Sequence, residues 1–128
     1  MNNLFQKQDF TSHSGLKLDW KIDCAALTDE DLSTLACLAS QKIKFREVIG
    51  VPTGGLRFQE ALKPYAVKDA KYKTLVVDDV LTTGKSLSEY MDHHPASIGL
   101  VIFDRAPFAI PVQHLKGRKV YRLFRIYA

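Results

Sequence analysis

The chain has 128 residues, a length that predicts one domain with a real hydrophobic core. Apolar residues make up 46% and charged residues 25%, the composition of an ordinary globular protein rather than a disordered or fibrous one. No apolar run approaches membrane-spanning length, so no membrane partner is expected. The start, Met1 to Gln8, does not read as a signal peptide. Cys24 and Cys37 form neither a metal-like cluster nor a disulfide framework, so a reducing, cytoplasmic setting is the expectation. A formal net charge of +4 and a pI of about 9.1 fit nucleic acid or a phosphate-rich small molecule. No nucleic-acid-binding motif is present, which favours the small molecule.

Residues 1–23 read as extended or irregular. Thr28 followed by Asp29, Glu30 and Asp31 is a helix start, with Thr28 as cap and the acids complementing the dipole. Leu32, Leu35, Ala36, Ala39 and Ile43 then share one helical face. A strand over Val48 to Val51 follows, then the turn Pro52-Thr53-Gly54-Gly55, whose glycines suggest positive φ and close backbone approach to a ligand. A helix from Leu56 to Leu62 is stopped near Pro64. A strand over Leu75 to Asp78 leads to a helix from about Lys85 to His93, with Leu87, Tyr90 and Met91 as its buried stripe and Pro95 ending it. Further strands are expected over Ile98 to Phe103 and Val120 to Ile126, after the basic turn His114 to Lys119. The alternation of strands and helices, without repeats or low-complexity linkers, predicts an α/β domain with a mainly parallel sheet. Ligand loops then belong at the C-terminal ends of the strands. His93-His94 sits at a helix end, where adjacent His point to different faces and do not share an ion.

The segment from Thr74 to Ser86, TLVVDDVLTTGKS, carries the most chemistry. A buried strand delivers two carboxylates, Asp78 and Asp79, beside a hydroxyl-rich turn that opens a helix. Carboxylates can hold ribose hydroxyls, and free N–H groups at a helix N-terminus can hold a phosphate. Gly84-Lys85-Ser86 also ends like a Walker A loop, but Asp79 stands where that pattern needs its first Gly. The plain alternative is a core strand followed by a helix capped by Thr82 or Thr83, which leaves the paired acids unexplained.

This segment resembles the phosphoribosyl pyrophosphate (PRPP) signature of type I phosphoribosyltransferases: apolar strand, acidic pair, Thr-rich turn, Gly and a small hydroxyl residue. The Pro52 to Gly55 turn lies upstream of it, in the order expected of that family's pyrophosphate loop. Two features are similar to the orotate branch. Ser14-Gly15 after Phe10 resembles its Phe-x-x-x-Ser-Gly motif, with His13 where Lys is usual, and Asp104-Arg105 resembles its Asp-Arg pair. The aromatic pair that usually follows is only partly kept, as Trp20-Lys21-Ile22. The long basic loop that closes over pyrophosphate in such enzymes is nearly absent. Only Leu56 to Lys73 separates Gly55 from Thr74, and Lys68 and Lys71 are the local candidates for its role. A solvated turn is the simpler reading of both.

The resemblance implies a single phosphoribosyltransferase-like domain over residues 1–128. Residues 1–27 would form a reduced hood, with the C-terminal strand as a second contributor, and residues 28–128 the core and C-terminal strand. It implies transfer of phosphoribose from PRPP to a nucleobase, a pyrimidine such as orotate first, with release of pyrophosphate. Asp78 and Asp79 would serve the ribose, and Leu81, Thr82, Thr83, Gly84, Lys85 and Ser86 the 5′-phosphate. Pro52, Thr53, Gly54, Gly55 and Lys68 would serve pyrophosphate, and Arg105 and His13 the base. Mg²⁺ would be held through substrate and water near Asp78 and Asp79, without a direct protein cage. A homodimer is compatible with the family. The alternative is a PRPP- or nucleotide-binding regulatory protein, or a catalytically degenerate relative.

Overall fold

The computed structural model describes residues 3–11, 17–105 and 117–126. Its elements run β1 (Phe5–Thr11), β2 (Lys17–Ile22), α1 (Asp29–Lys42), β3 (Glu47–Gly50), α2 (Leu56–Leu62), β4 (Thr74–Leu81), α3 (Lys85–Asp92), β5 (Ser97–Asp104) and β6 (Val120–Arg125). The extended N-terminal segment pairs with itself: β1 and β2 form an antiparallel two-stranded sheet, with a register irregularity between Lys7 and Phe10. The other four strands form a parallel sheet in the order β3-β4-β5-β6. β6 therefore belongs to the main sheet, as its edge beside β5, and corrects the expectation that the C-terminal strand helps build the hood.

The alternation of side chains along parallel strands divides the core into two layers. Leu75, Val77, Leu100 and Ile102 face α1 and α2, packing with Leu35, Ala36, Phe58 and Leu62. Val76 and Val101 face the other way, onto Leu87 and Met91 of α3. The buried face of α1 is the predicted one. Its start is a full capping box: Asp31 N–H donates to Thr28 Oγ1 at 3.0 Å, and Thr28 N–H to Asp31 Oδ2 at 2.9 Å. α3 buries Leu87, Ser88 and Met91, while Tyr90 is only partly covered, and the helix ends at Asp92, before Pro95 is reached.

Two boundaries differ from the sequence expectation, each for a physical reason. Pro64 does not end the chain's helical course. It sits in the first turn of a short 3₁₀ segment, Lys63–Tyr65, where its missing N–H costs nothing. β4 runs past Asp78 to Leu81, because β5 offers continuous partners: Val80 pairs with Phe103 and Leu81 with Asp104. The acid pair thus lies on the strand itself, with the turn beginning after Leu81.

Two side-chain ties lock these elements. Gln59 Oε1 accepts the Gly50 N–H at 2.7 Å, holding α2 to the end of β3. The Arg57 guanidinium donates to Leu27 O at 2.9 Å and pairs with Asp29 at 3.0 Å, holding α2 to the approach to α1.

Candidate active site

The C-terminal ends of β3, β4 and β5 surround a cleft of about 290 Å³. Its lining includes Pro52, Thr53 and Gly54 after β3, Asp78 through Leu81 on β4, Thr82 through Leu87 in the turn and α3, and Arg105 after β5. The fold therefore brings together the acid pair, both predicted turns and the guanidinium. Gly55 lies beneath, buried. His13 falls outside the described residues, as do Ser14 and Gly15. Lys68 is exposed and is not among the residues that line the cleft, and Lys71 pairs with Asp69 at 4.0 Å.

The turn after β3 owes its glycines to close packing within the protein rather than to positive φ. Gly55 has φ −80, and the positive-φ glycines among the described residues are Gly84 and Gly117. A Cβ on Gly55 would lie 2.5 Å from Val77 O and 2.7 Å from Val51 N. A Cβ on Gly54 would run into the Asp79 carboxylate. The turn thus lies flat against β4, with the backbone of Gly54 against an acid of the pair. The peptide between Pro52 and Thr53 is cis.

The second turn has a different logic. Gly84 adopts φ 83, a left-handed conformation open to glycine at little cost, and caps α3 without a side-chain hydrogen bond. Neither Thr82 nor Thr83 is the cap; Thr83 Oγ1 only approaches Lys85 N at 3.4 Å. The contrast with α1 is informative. α1 has its capping box and three acids in the first turn, whereas α3 has no acid there and begins with Lys85. A helix start that carries only positive charge and open N–H groups, at the wall of a cleft, suits an anion.

The acid pair is electrostatically strained. Asp78 Oδ1 accepts the Asp79 N–H at 2.8 Å, and Asp79 Oδ1 accepts the Val80 N–H at 2.8 Å. Burial first, and then the neighbouring Asp79 charge, push the Asp78 carboxyl up to about 8. With the cleft empty, Asp78 is largely protonated at neutral pH, so the pair carries less than its full double charge. Cys24 lies within reach of the same charges. Burial, reinforced by Asp79, Asp23 and Asp78 and opposed by Arg57, pushes its thiol up to about 12, which leaves it neutral rather than a nucleophile.

Sequence reasoning missed two parts of the surroundings. Ile22, at the end of β2, lines the cleft, so the N-terminal hairpin contributes an apolar wall. Asp104 is buried at 2% exposure and receives Arg125 at 2.7 Å and Arg122 at 3.3 Å, both from β6. The Arg105 N–H donates to Leu81 O at 3.0 Å, extending the β4–β5 pairing and fixing the backbone from which its side chain leaves. The Arg-x-x-Arg spacing on the last strand was the available signal for the Asp104 clamp. It needed the parallel register, in which Asp104 faces Arg125, to become legible.

Solved structures of phosphoribosyltransferases superpose on most of the chain. The orotate phosphoribosyltransferase of Aeropyrum pernix matches with a TM-score of 0.70 at 23% identity, covering 94% of this chain and 89% of that one. That of Mycobacterium tuberculosis H37Rv, solved with inorganic phosphate, gives 0.63 at 18% identity, with 94% and 87% covered. An adenine phosphoribosyltransferase of Leishmania donovani gives 0.64 at 12% identity, with 95% and 76% covered. No protein-family model and no curated protein matches the chain. The four-stranded parallel sheet, its flanking helices and these superpositions together give the chain the type I phosphoribosyltransferase fold.

Proposed function

We propose that the chain is a phosphoribosyltransferase that transfers phosphoribose from PRPP to a nucleobase, a pyrimidine such as orotate first, and releases pyrophosphate. One observation carries the reading: a single cleft joins a half-buried acid pair, an open helix N-terminus, a tight glycine turn and a guanidinium. In this reading the 5′-phosphate sits on the turn from Leu81 to Ser86, held by N–H groups at the start of α3, the hydroxyls of Thr82, Thr83 and Ser86, and the Lys85 charge. The ribose hydroxyls donate to Asp78 and Asp79. Pyrophosphate leaves along Pro52, Thr53 and Gly54. Arg105 presents a fork to the carbonyl or carboxylate edge of the base, and Ile22 covers an apolar face.

Transfer begins when a ring nitrogen of the base attacks the anomeric carbon as its bond to the pyrophosphate oxygen breaks. The electron pair leaves on that oxygen. Asp78 and Asp79 lower the energy of the cationic sugar that develops between, and they do so most when both are ionised. Among the described residues that line the cleft no general base is evident, and an anionic pyrimidine needs none. Positioning and electrostatics carry the rate.

The acid pair fits a divalent cation, since positive charge beside it would offset both the burial and the Asp79 charge that hold the Asp78 carboxyl up. Among the described residues no three His, Cys, Asp or Glu side chains form a metal site of their own. Asp78 and Asp79 would therefore hold Mg²⁺ together with substrate and water, directly or through its water shell. Bound there, Mg²⁺ would neutralise the pyrophosphate as it departs.

A second reading has its own support. Among the described residues, Lys85 and Arg105 are the cationic side chains lining the cleft, and neither adjoins Pro52 to Gly54 in sequence. Weak hold on pyrophosphate would make the chain a PRPP-binding regulator or a degenerate enzyme. An assay of pyrophosphate release from PRPP and Mg²⁺ with orotate, uracil and purine bases separates the two. Release with one base supports the transferase and names its substrate. PRPP binding without release for any base supports the regulator.

A further inference from the structure

A group of exposed cations gathers at the end of the sheet opposite the cleft. Two segments run side by side where β3 and β4 begin. Val67 N–H donates to Phe45 O at 2.9 Å, and Arg46 N–H donates to Lys73 O at 2.9 Å. Together these segments carry Lys42, Lys44, Arg46, Lys68, Lys71 and Lys73, all exposed. The carboxylates among them are Glu47 and Asp69, which accept close hydrogen bonds from the Thr74 hydroxyl at 2.8 Å and the Lys71 N–H at 3.0 Å but form only long ion pairs with Arg46 and Lys71, at 3.9 Å and 4.0 Å. Glu60 nearby in sequence is taken up by Lys63 at 2.6 Å. The surplus at this edge equals the formal net charge of the whole chain, +4.

The same edge shows ring faces. Tyr65 is 39% exposed, with its hydroxyl tied to Cys37, and Val67 beside it is equally open. Lys71 Nζ lies 5.1 Å above the half-buried Tyr72 ring. Cations set around the open Tyr65 ring, with the half-buried Tyr72 ring beside them, match a flexible polyphosphate with unstacked bases: phosphates take the lysines, and a base takes the ring of Tyr65. A duplex would leave the rings unused. We propose that this edge binds single-stranded nucleic acid. It stands roughly 20 Å from the acid pair along β4, at about 3.3 Å per residue, so nucleic acid and PRPP would occupy the chain independently.

The test is fluorescence anisotropy of the full chain with labelled oligouridine and oligothymidine of about 12 nucleotides, across a salt series. The expected result is binding at low salt with a log–log salt slope of about −3, corresponding to about four phosphates neutralised. The triple variant Lys44→Glu, Lys71→Glu, Lys73→Glu should lose tenfold or more in affinity. The milder Lys→Gln triple, which keeps the fold if the reversals do not, should lose less. PRPP should not compete. Tighter binding of oligouridine would assign RNA, and equal binding would assign any single strand. Absence of binding at low salt, affinity unchanged in both triple variants, or displacement by PRPP would overturn the proposal. So would equal binding of polyglutamate at matched charge, because the rings would then contribute nothing.

Discussion

Asp78 and Asp79 are neighbours in sequence but not in surroundings. Asp78 is the strained member, and its raised carboxyl has a consequence for stability. An unfolded Asp titrates near 3.9. Between about 4 and about 8 the folded chain therefore holds a proton that the unfolded chain has lost. Stability of the ligand-free protein should fall as pH rises through that window. Asp78→Asn should flatten this slope and raise the melting temperature at neutral pH, as thermal melts across pH would show. An unchanged slope would mean that Asp78 is solvated. Asp79→Asn should weaken Mg²⁺-dependent PRPP binding tenfold or more. Arg105→Ala should leave PRPP affinity within a factor of a few while base selectivity falls. If it abolished PRPP binding in a folded chain, the base role would be wrong.

At the scale of elements, the sequence was most informative where chemistry and local structure coincide. The capping box at Thr28, the apolar face of α1 and the strand-to-helix segment from Thr74 to Ser86 were all legible. Each is fixed by contacts a few residues apart. The glycine turn was placed correctly, but the positive φ expected of it is absent, and a constraint from Val77 and Asp79, residues distant in sequence, stands in its place. Gly55→Ala tests that explanation. Its Cβ would meet backbone on every near side, so the turn must shift or the chain lose about 1–3 kcal/mol. Denaturant unfolding would read the loss, and PRPP titration the displaced turn. By contrast, Thr28→Ala should cost about 1 kcal/mol and leave ligand binding intact, since its cap lies away from the cleft. The Asp104 clamp was illegible for the same reason as the turn, since it needs β6 laid parallel beside β5. Removing that buried acceptor as Asp104→Ala should cost about 3 kcal/mol or more, because two guanidiniums lose their partner together.

At the scale of the molecule, the alternation of strands and helices was enough to predict a parallel α/β sheet with its cleft at the strands' C-terminal ends. It was not enough to say that Phe5–Thr11 and Lys17–Ile22 pair antiparallel and that the end of the second of these strands supplies Ile22. Nor did it show that the last strand closes the main sheet. Both depend on long-range pairing that no local pattern encodes. The architecture puts the ends of the strands to different uses: an acid-lined cleft with an anion-ready helix start at one end, and a cationic fringe at the other. Among the described residues no helix is long and apolar enough to cross a membrane. The reading of the cleft as a PRPP site is tested most directly by calorimetric titration of the purified chain with PRPP, with and without Mg²⁺. Saturable binding that requires Mg²⁺ and is lost in Asp79→Asn is the expected result. No binding, or binding indifferent to both Mg²⁺ and Asp79→Asn, would contradict it and leave the signature as architecture alone.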